Sequence, residues 1–151
     1  MSKPTFIDIE DASWMWGILI TDKDRVSTTG ICNFPSHMGS LNYGYASVGG
    51  WRRISPKLYN QIPESDVRKG WFLDDTGVSV NLPAAAQAYI TKKGAPVYTQ
   101  VKYGPMNDEW GSNNNATDVI LMRVEEMYLI KAEAQAMNND VSGGVKVQFR
   151  L

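Results

Sequence analysis

The chain has 151 residues, 43% of them hydrophobic, with 15 Lys plus Arg against 16 Asp plus Glu. This length suffices for one domain with a core, and the balanced charge excludes a field that would attract nucleic acid or an anionic membrane surface. Cys32 is the only cysteine, which excludes an intrachain disulfide and any multi-cysteine metal site.

The first third of the chain holds one clear element followed by a long irregular stretch. The run Trp14–Ile20, WMWGILI, has the length and composition of a buried strand. Residues 27–55 are rich in Gly, Ser, Asn and Tyr and show neither strand nor helix periodicity. A loop of this length inside a domain is usually functional or ordered by its surroundings.

The middle of the chain predicts short elements. A helix is expected over Pro56–Ile62, with Ser55 as its cap and Pro56 at its first position. A second short helix is expected over Pro83–Ile90 and a strand over Pro96–Tyr103, followed by a polar loop that contains Trp110.

Thr117–Met137 carries the strongest periodic signal, because apolar residues recur at spacings of three and four and predict a long helix. Thr117 or Asp118 is the expected cap, and Asn138 and Asn139 the expected end. Since two faces of this helix are apolar, we expect it to be covered by self-association or by residues 141–151 folding back. Val145–Leu151 alternates as a strand would.

Little in the sequence points to catalysis. His37 is the only histidine, and neither a GxSxG motif nor a phosphate-binding loop is present. The acidic pairs Asp74-Asp75 and Asp108-Glu109 could supply an acid and a base for glycoside cleavage, although solvated loop carboxylates are far commoner. We therefore expect no catalytic residue, no metal site, no cofactor and no glycosidase activity.

Aromatic residues in the irregular stretch are the most informative candidates for binding. Tyr43, Tyr45 and Trp51 lie among glycines, with Asn42 beside them. Sugars present flat apolar faces edged by hydroxyls, so stacked rings with an amide at their edge suit a glycan. For any single ring, covering a helix is the commoner role. The predicted glycan site is Asn42, Tyr43, Tyr45 and Trp51.

Three segments together resemble the SusD/RagB-like family. They are MRVEEMYLIKAEAQAM over Met122–Met137, the Asp66-x-Arg68 motif with Trp71-Phe72, and the Trp14–Gly17 segment upstream. The resemblance covers residues 14–137, whereas residues 141–151 do not match. It implies one partial domain over residues 1–151, corresponding to an internal piece of a longer protein.

The resemblance also implies a function and a fold. Members of this family are lipid-anchored proteins of the outer membrane of Bacteroides-type bacteria that bind glycans without cleaving them. They pass oligosaccharides to a SusC-like TonB-dependent transporter. The implied fold is mainly α-helical with long loops, part of a superhelix of tetratricopeptide-like helices, and it allows a short β-strand or hairpin. Met1–Glu10 does not resemble a signal peptide, and Cys32 lies too deep to be the lipid anchor.

Two other functions stay open at this point. A helical-repeat module that binds protein would need an exposed apolar groove along the long helix. A fragment of a carbohydrate-active enzyme would need two converging carboxylates. Aromatic loop residues without such a pair would favour the glycan binder.

Overall fold

The computed structural model describes residues 9–25, 33–140 and 142–144. Its elements in chain order are β1 (Trp14–Ile18), α1 (Phe34–Met38), α2 (Pro56–Tyr59), α3 (Ala84–Lys92), β2 (Val119–Arg123) and α4 (Val124–Met137). Short 3₁₀ turns span Tyr45–Val48, Val67–Trp71 and Met106–Asp108. The described residues group into two compact units, one over 19–119 and one formed by 9–18 with 120–144.

The larger unit has a small apolar core. Its fully buried members are Leu41, Leu73, Ala86, Ile90 and Val101. Half-buried side chains pack around this cluster, and they are Trp51, Leu82, Tyr89, Ala95 and Trp110. Helix α3 supplies Ala86 and Ile90 from one face, Gln87 and Tyr89 are half-buried, and the other residues of the helix are exposed.

The strand predicted over Pro96–Tyr103 does not form, so that prediction is wrong. Three chain segments are instead joined by irregular backbone hydrogen bonds, an arrangement that we call the ladder. The backbone from Tyr98 to Val101 bonds Trp71–Leu73 on one side and Arg52–Ile54 on the other. Isolated antiparallel bridges join Arg53 to Thr99 and Phe72 to Gln100. The reason that the predicted strand does not form is Tyr98, whose φ of +65° interrupts the extended conformation that a strand requires.

The smaller unit consists of a two-stranded antiparallel sheet and α4. The predicted strand at Trp14 is confirmed as β1, but Met15 and Trp16 are 52% and 65% exposed, so it is not a buried strand. The predicted helix start at Thr117 is wrong, because Val119–Arg123 pairs with β1. Arg123 is still extended, with φ −119° and ψ 151°, and α4 begins only at Val124. The predicted end is confirmed at Met137.

The expected fold class is wrong: the described residues do not form a mainly α-helical superhelix of tetratricopeptide-like repeats. Stacked repeats need helix pairs that bury a continuous face. Here α1, α2 and α3 run for only five, four and nine residues, and α4 has no buried residue along its fourteen. Prolines and glycines divide the chain before longer helices can form.

The two short helices expected in the middle of the chain are present with shifted ends. α2 starts at Pro56 as predicted but stops at Tyr59, and the Ser55 side chain makes no cap bond. α3 has Pro83 at its N-cap and extends to Lys92. The predicted strand over Val145–Leu151 lies outside the described residues. Among the helices that the structure describes, none is long and apolar enough to cross a membrane.

Candidate functional site

A cleft of about 560 Å³ opens on the larger unit. Three rings contribute to it, those of Tyr59, Phe72 and Tyr98. Most of the other lining residues have polar side chains, and they are Asn60, Glu64, Ser65, Asp66, Lys69, Asp74, Asp75, Ser79 and Asn81. Val67, Gly70, Val78 and Val80 complete the lining. Its volume lies within the range of about 300–1,000 Å³ typical of small-molecule sites.

The irregular ladder positions two of the three rings. Leu73 N donates to Thr99 O at 2.8 Å, and Tyr98 N donates to Leu73 O at 3.1 Å. These bonds hold Phe72 and Tyr98 on adjacent segments. Tyr98 is in the left-handed region that a bulky residue rarely adopts. Such strain persists only when surrounding structure imposes it, and it concentrates at functional sites.

Tyr59 forms the deepest part of the aromatic wall. It is 9% exposed, and its ring centroid lies 5.1 Å from that of Tyr98 at an interplanar angle of 56°. Lys69 Nζ lies 4.9 Å from the Tyr59 ring centroid and also forms an ion pair with Glu64. The more accessible rings of Tyr98 and Phe72 are therefore the surface on which a flat ligand could stack.

The Val67–Trp71 turn forms one side of the cleft and depends on Asp66. The Asp66 carboxylate accepts from Arg68 N at 2.9 Å and forms a bidentate pair with the Arg68 guanidinium. These hydrogen bonds from Arg68 lower the pKa of Asp66 to about 2. The carboxylate therefore stays ionised at neutral pH and fixes the start of the turn.

The Asp74–Val78 turn forms another side of the cleft. Burial works against ionisation of Asp74, but hydrogen bonds from Thr76 and Val78 outweigh it and lower the pKa of Asp74 below its ordinary value. Thr76 N and Oγ1 donate to Asp74 Oδ1 at 2.8 and 2.7 Å, and Val78 N donates at 3.0 Å. The Asp74 carboxylate therefore stabilises the turn that begins with it.

Asn81 and Ser79 connect the two sides. Asn81 Nδ2 donates to Val67 O at 3.0 Å, and the Ser79 hydroxyl donates to Gly70 O. A Cβ at position 70 would lie 2.6 Å from Asn81 Nδ2, so glycine is needed for this close approach. The cleft wall is thus a connected polar network with fixed geometry.

Of the four loop residues predicted as the glycan site, one is exposed, one is buried and two are half-buried. Tyr43 is 41% exposed, whereas Asn42 is 5% exposed and its amide donates to Asn115 Oδ1. Tyr45 is half-buried against His37, with ring centroids 4.3 Å apart. Trp51 packs on the apolar core. The chain curls into a 3₁₀ turn at Tyr45, so it lacks the extended form in which alternate rings point the same way.

The sequence does not indicate the residues of the cleft as a group. The segment Asp66 to Phe72 stands out only as a family motif, and local patterns predict a short helix at Tyr59 and a strand at Tyr98. The Asp74-Asp75-Thr76-Gly77 run is a usable turn signal. No local signal brings Tyr98 beside Tyr59, because that contact depends on the ladder.

The carboxylates of the cleft do not form a metal centre. In residues 9–25, 33–140 and 142–144, no group of three or more His, Cys, Asp or Glu side chains is arranged to hold a metal ion. No family model, no curated protein and no solved structure matches this chain. The chemistry of the cleft is therefore the basis for any functional assignment.

Proposed function

We propose that the protein binds oligosaccharides non-catalytically and that the cleft beside Tyr59, Phe72 and Tyr98 is the binding site. The observation that carries this proposal is the combination of an aromatic wall with a fixed polar rim in one cleft of about 560 Å³. The rings supply a surface for the apolar face of a sugar, and the amides and carboxylates accept or donate hydrogen bonds at its edge.

Two carboxylates of the cleft, those of Asp66 and Asp74, are unsuited to act as the acid of a glycosidase. A glycosidase needs one carboxyl group that is protonated near neutral pH, which requires a raised pKa. Here the pKa of Asp66 is lowered to about 2 and that of Asp74 is also lowered. Glu64 is engaged with Lys69. We therefore propose that the protein releases no reducing sugar from any glycan that it binds.

The wider role in this proposal is glycan capture at the bacterial outer-membrane surface for uptake through a TonB-dependent transporter. Its support is the resemblance of three segments to the SusD/RagB-like family, one of which, Asp66 to Phe72, forms part of the cleft. The bidentate Asp66–Arg68 pair gives that motif a structural role, because it fixes the turn beside the aromatic rings of the cleft. The transporter partner rests on the resemblance alone.

Calorimetric titration with a panel of plant and host oligosaccharides tests the binding site. For a glycan that binds, Tyr98→Ala is expected to weaken affinity by about 1–3 kcal/mol, because a stacking ring is lost. Tyr98→Phe keeps the ring and should bind nearly as well. Circular dichroism on each variant checks that folding is retained.

The loop supplies the matched comparison. Tyr43→Ala removes an exposed ring outside the cleft and should leave affinity unchanged. Loss of binding in Tyr43→Ala and Trp51→Ala, with Tyr98→Ala unaffected, would move the site to the 37–51 loop. Release of reducing sugar that a single carboxylate substitution abolishes would contradict the non-catalytic assignment.

A further inference from the structure

The charges that line the cleft are unbalanced. Four carboxylates lie on its wall, and they are those of Glu64, Asp66, Asp74 and Asp75. Lys69 is the only cationic side chain among the lining residues. The chain as a whole is close to neutral, with a formal net charge of −1, so the cleft is a local concentration of negative charge.

The nearby cations are already engaged within the protein. Lys69 forms an ion pair with Glu64 and lies over the Tyr59 ring, and its side chain is only 14% exposed. The Arg68 guanidinium beside the cleft is held in its bidentate pair with Asp66. A carboxylate of the protein therefore already neutralises each of these two cations.

The carboxylates of the cleft also affect the ionisation of Tyr59 in the aromatic wall. Burial raises the pKa of the Tyr59 hydroxyl, and although Lys69 opposes this, the charges of Asp74, Glu64 and Asp75 act in the same direction as burial. Asp75 is exposed at the edge of the cleft. A ligand carboxylate placed beside Tyr59 and Tyr98 would therefore face the carboxylates of the cleft across a partly desolvated space.

We propose that the cleft is selective for neutral oligosaccharides and excludes those whose sugars carry carboxylates, such as uronic acids. This inference rests on the proposed glycan-binding function and adds the chemical class of its ligand. Neutral hydroxyls carry no charge that the carboxylates of the cleft would repel, and they can donate hydrogen bonds to acceptors on its wall. The carboxylate of a uronic acid can only accept hydrogen bonds, and it carries the same sign of charge as the carboxylates of the cleft. Like charges in contact oppose association.

The test uses ligand pairs with one backbone and different charge. One pair is methyl-esterified and de-esterified galacturonan oligomers, and the other is plain and glucuronate-substituted xylan oligomers, within a wider panel of neutral glucans and mannans. Affinities are measured by calorimetry at low salt and at high salt. Neutral members should bind at least about tenfold more tightly than their acidic counterparts, and high salt should narrow the difference.

Two substitutions distinguish the cleft charge from the general surface charge. Asp75→Asn should raise the affinity for acidic members several-fold while changing that for neutral ones much less. Glu109→Gln removes an exposed carboxylate that does not line the cleft. This variant should change neither the affinity for acidic members nor that for neutral members.

The outcomes separate this inference from the function on which it rests. Acidic members that bind as tightly as neutral ones, through a site sensitive to Tyr98→Ala, would overturn the selectivity and leave glycan binding intact. A panel in which no glycan binds would contradict the proposed function itself. Asp75→Asn with no effect on acidic members would also overturn the selectivity.

Discussion

The ring of Tyr59 meets that of Tyr98 with centroids 5.1 Å apart and tilted by 56°. Tyr59 ends the short helix α2, whereas Tyr98 belongs to the ladder and has a φ of +65°. The geometry is that of a favourable tilted aromatic pair. Because one member of this pair has a strained backbone conformation, the pair provides direct tests of how the cleft is built.

Backbone strain at Tyr98 should be measurable by comparing two truncations. Tyr98→Gly and Tyr98→Ala both remove the ring, but only glycine adopts a positive φ without steric cost. We expect Tyr98→Gly to be more stable than Tyr98→Ala by about 1 kcal/mol in urea unfolding. Both should lose glycan affinity equally.

Val97 provides the control for this comparison, since it is not among the described residues with a positive φ. There glycine should be less stable than alanine by about 0.5–1 kcal/mol. If glycine is also the less stable substitution at position 98, the strain is absent.

The Asp66–Arg68 pair should make stability fall at acidic pH. The pKa of Asp66 is about 2 in the folded chain, below the value of about 3.9 for an unfolded chain. A lowered folded-state pKa stabilises the protein fully above the unfolded value, and this contribution is lost as the pH falls through about 2. Arg68→Gln should raise the pKa of Asp66, as measured by carbon NMR of its carboxyl group.

Arg68→Lys is the matched control for charge alone. Lysine keeps the positive charge but cannot form the two parallel bonds of a guanidinium. The pKa of Asp66 should then lie between those of the wild-type protein and Arg68→Gln. An Asp66 pKa that does not change in Arg68→Gln would contradict the geometry of the pair.

Asn42 should contribute to stability through its buried amide. Asn42→Ala leaves the Asn115 side-chain oxygen without the donor that it has in the structure. We expect a loss of about 1–3 kcal/mol in the free energy of unfolding, measured in urea. Asn113→Ala, at an exposed position of the neighbouring loop, should change it by less than about 0.5 kcal/mol.

Glycan affinity adds a second readout for the same variant. Asn42→Ala should retain affinity at concentrations where it is folded, because the site proposed here is the cleft. A variant as stable as the wild-type protein that loses binding would restore Asn42 to the predicted loop site.

The apolar side chains of α4 should promote self-association. Leu129 and Ile130 are 50% and 52% exposed, and Met137 is 81% exposed. Contiguous apolar surface of this kind marks an interaction site on many proteins. We expect sedimentation to show a dimer or larger species at micromolar concentration, and Leu129→Lys with Ile130→Lys to yield a monomer.

Glu126→Lys changes the charge of α4 at an exposed polar position and serves as the control. It should not reduce the sedimentation coefficient. A wild-type protein that sediments as a monomer at all concentrations tested would refute the self-association of α4.

The sequence by itself determined the features that depend on neighbouring residues. Pro56 lies in the first turn of α2, where proline is favoured, and Pro83 directly precedes α3 as its N-cap. The end of α4 at Met137 follows from the asparagines beyond it, and Asn139 indeed adopts a positive φ of 64°. These signals lie within a few residues of the structure that they predict.

Tertiary contacts decided the rest. Val119–Arg123 has helical periodicity in the sequence, but it becomes a strand because distant Trp14–Ile18 supplies backbone hydrogen-bond partners. The cleft likewise requires hydrogen bonds from Tyr98 and Val101 to Leu73 and Trp71. Periodicity reports which side chains share a face of one segment. It carries no information about which distant segment will satisfy the backbone, and that pairing placed Tyr98 beside Tyr59.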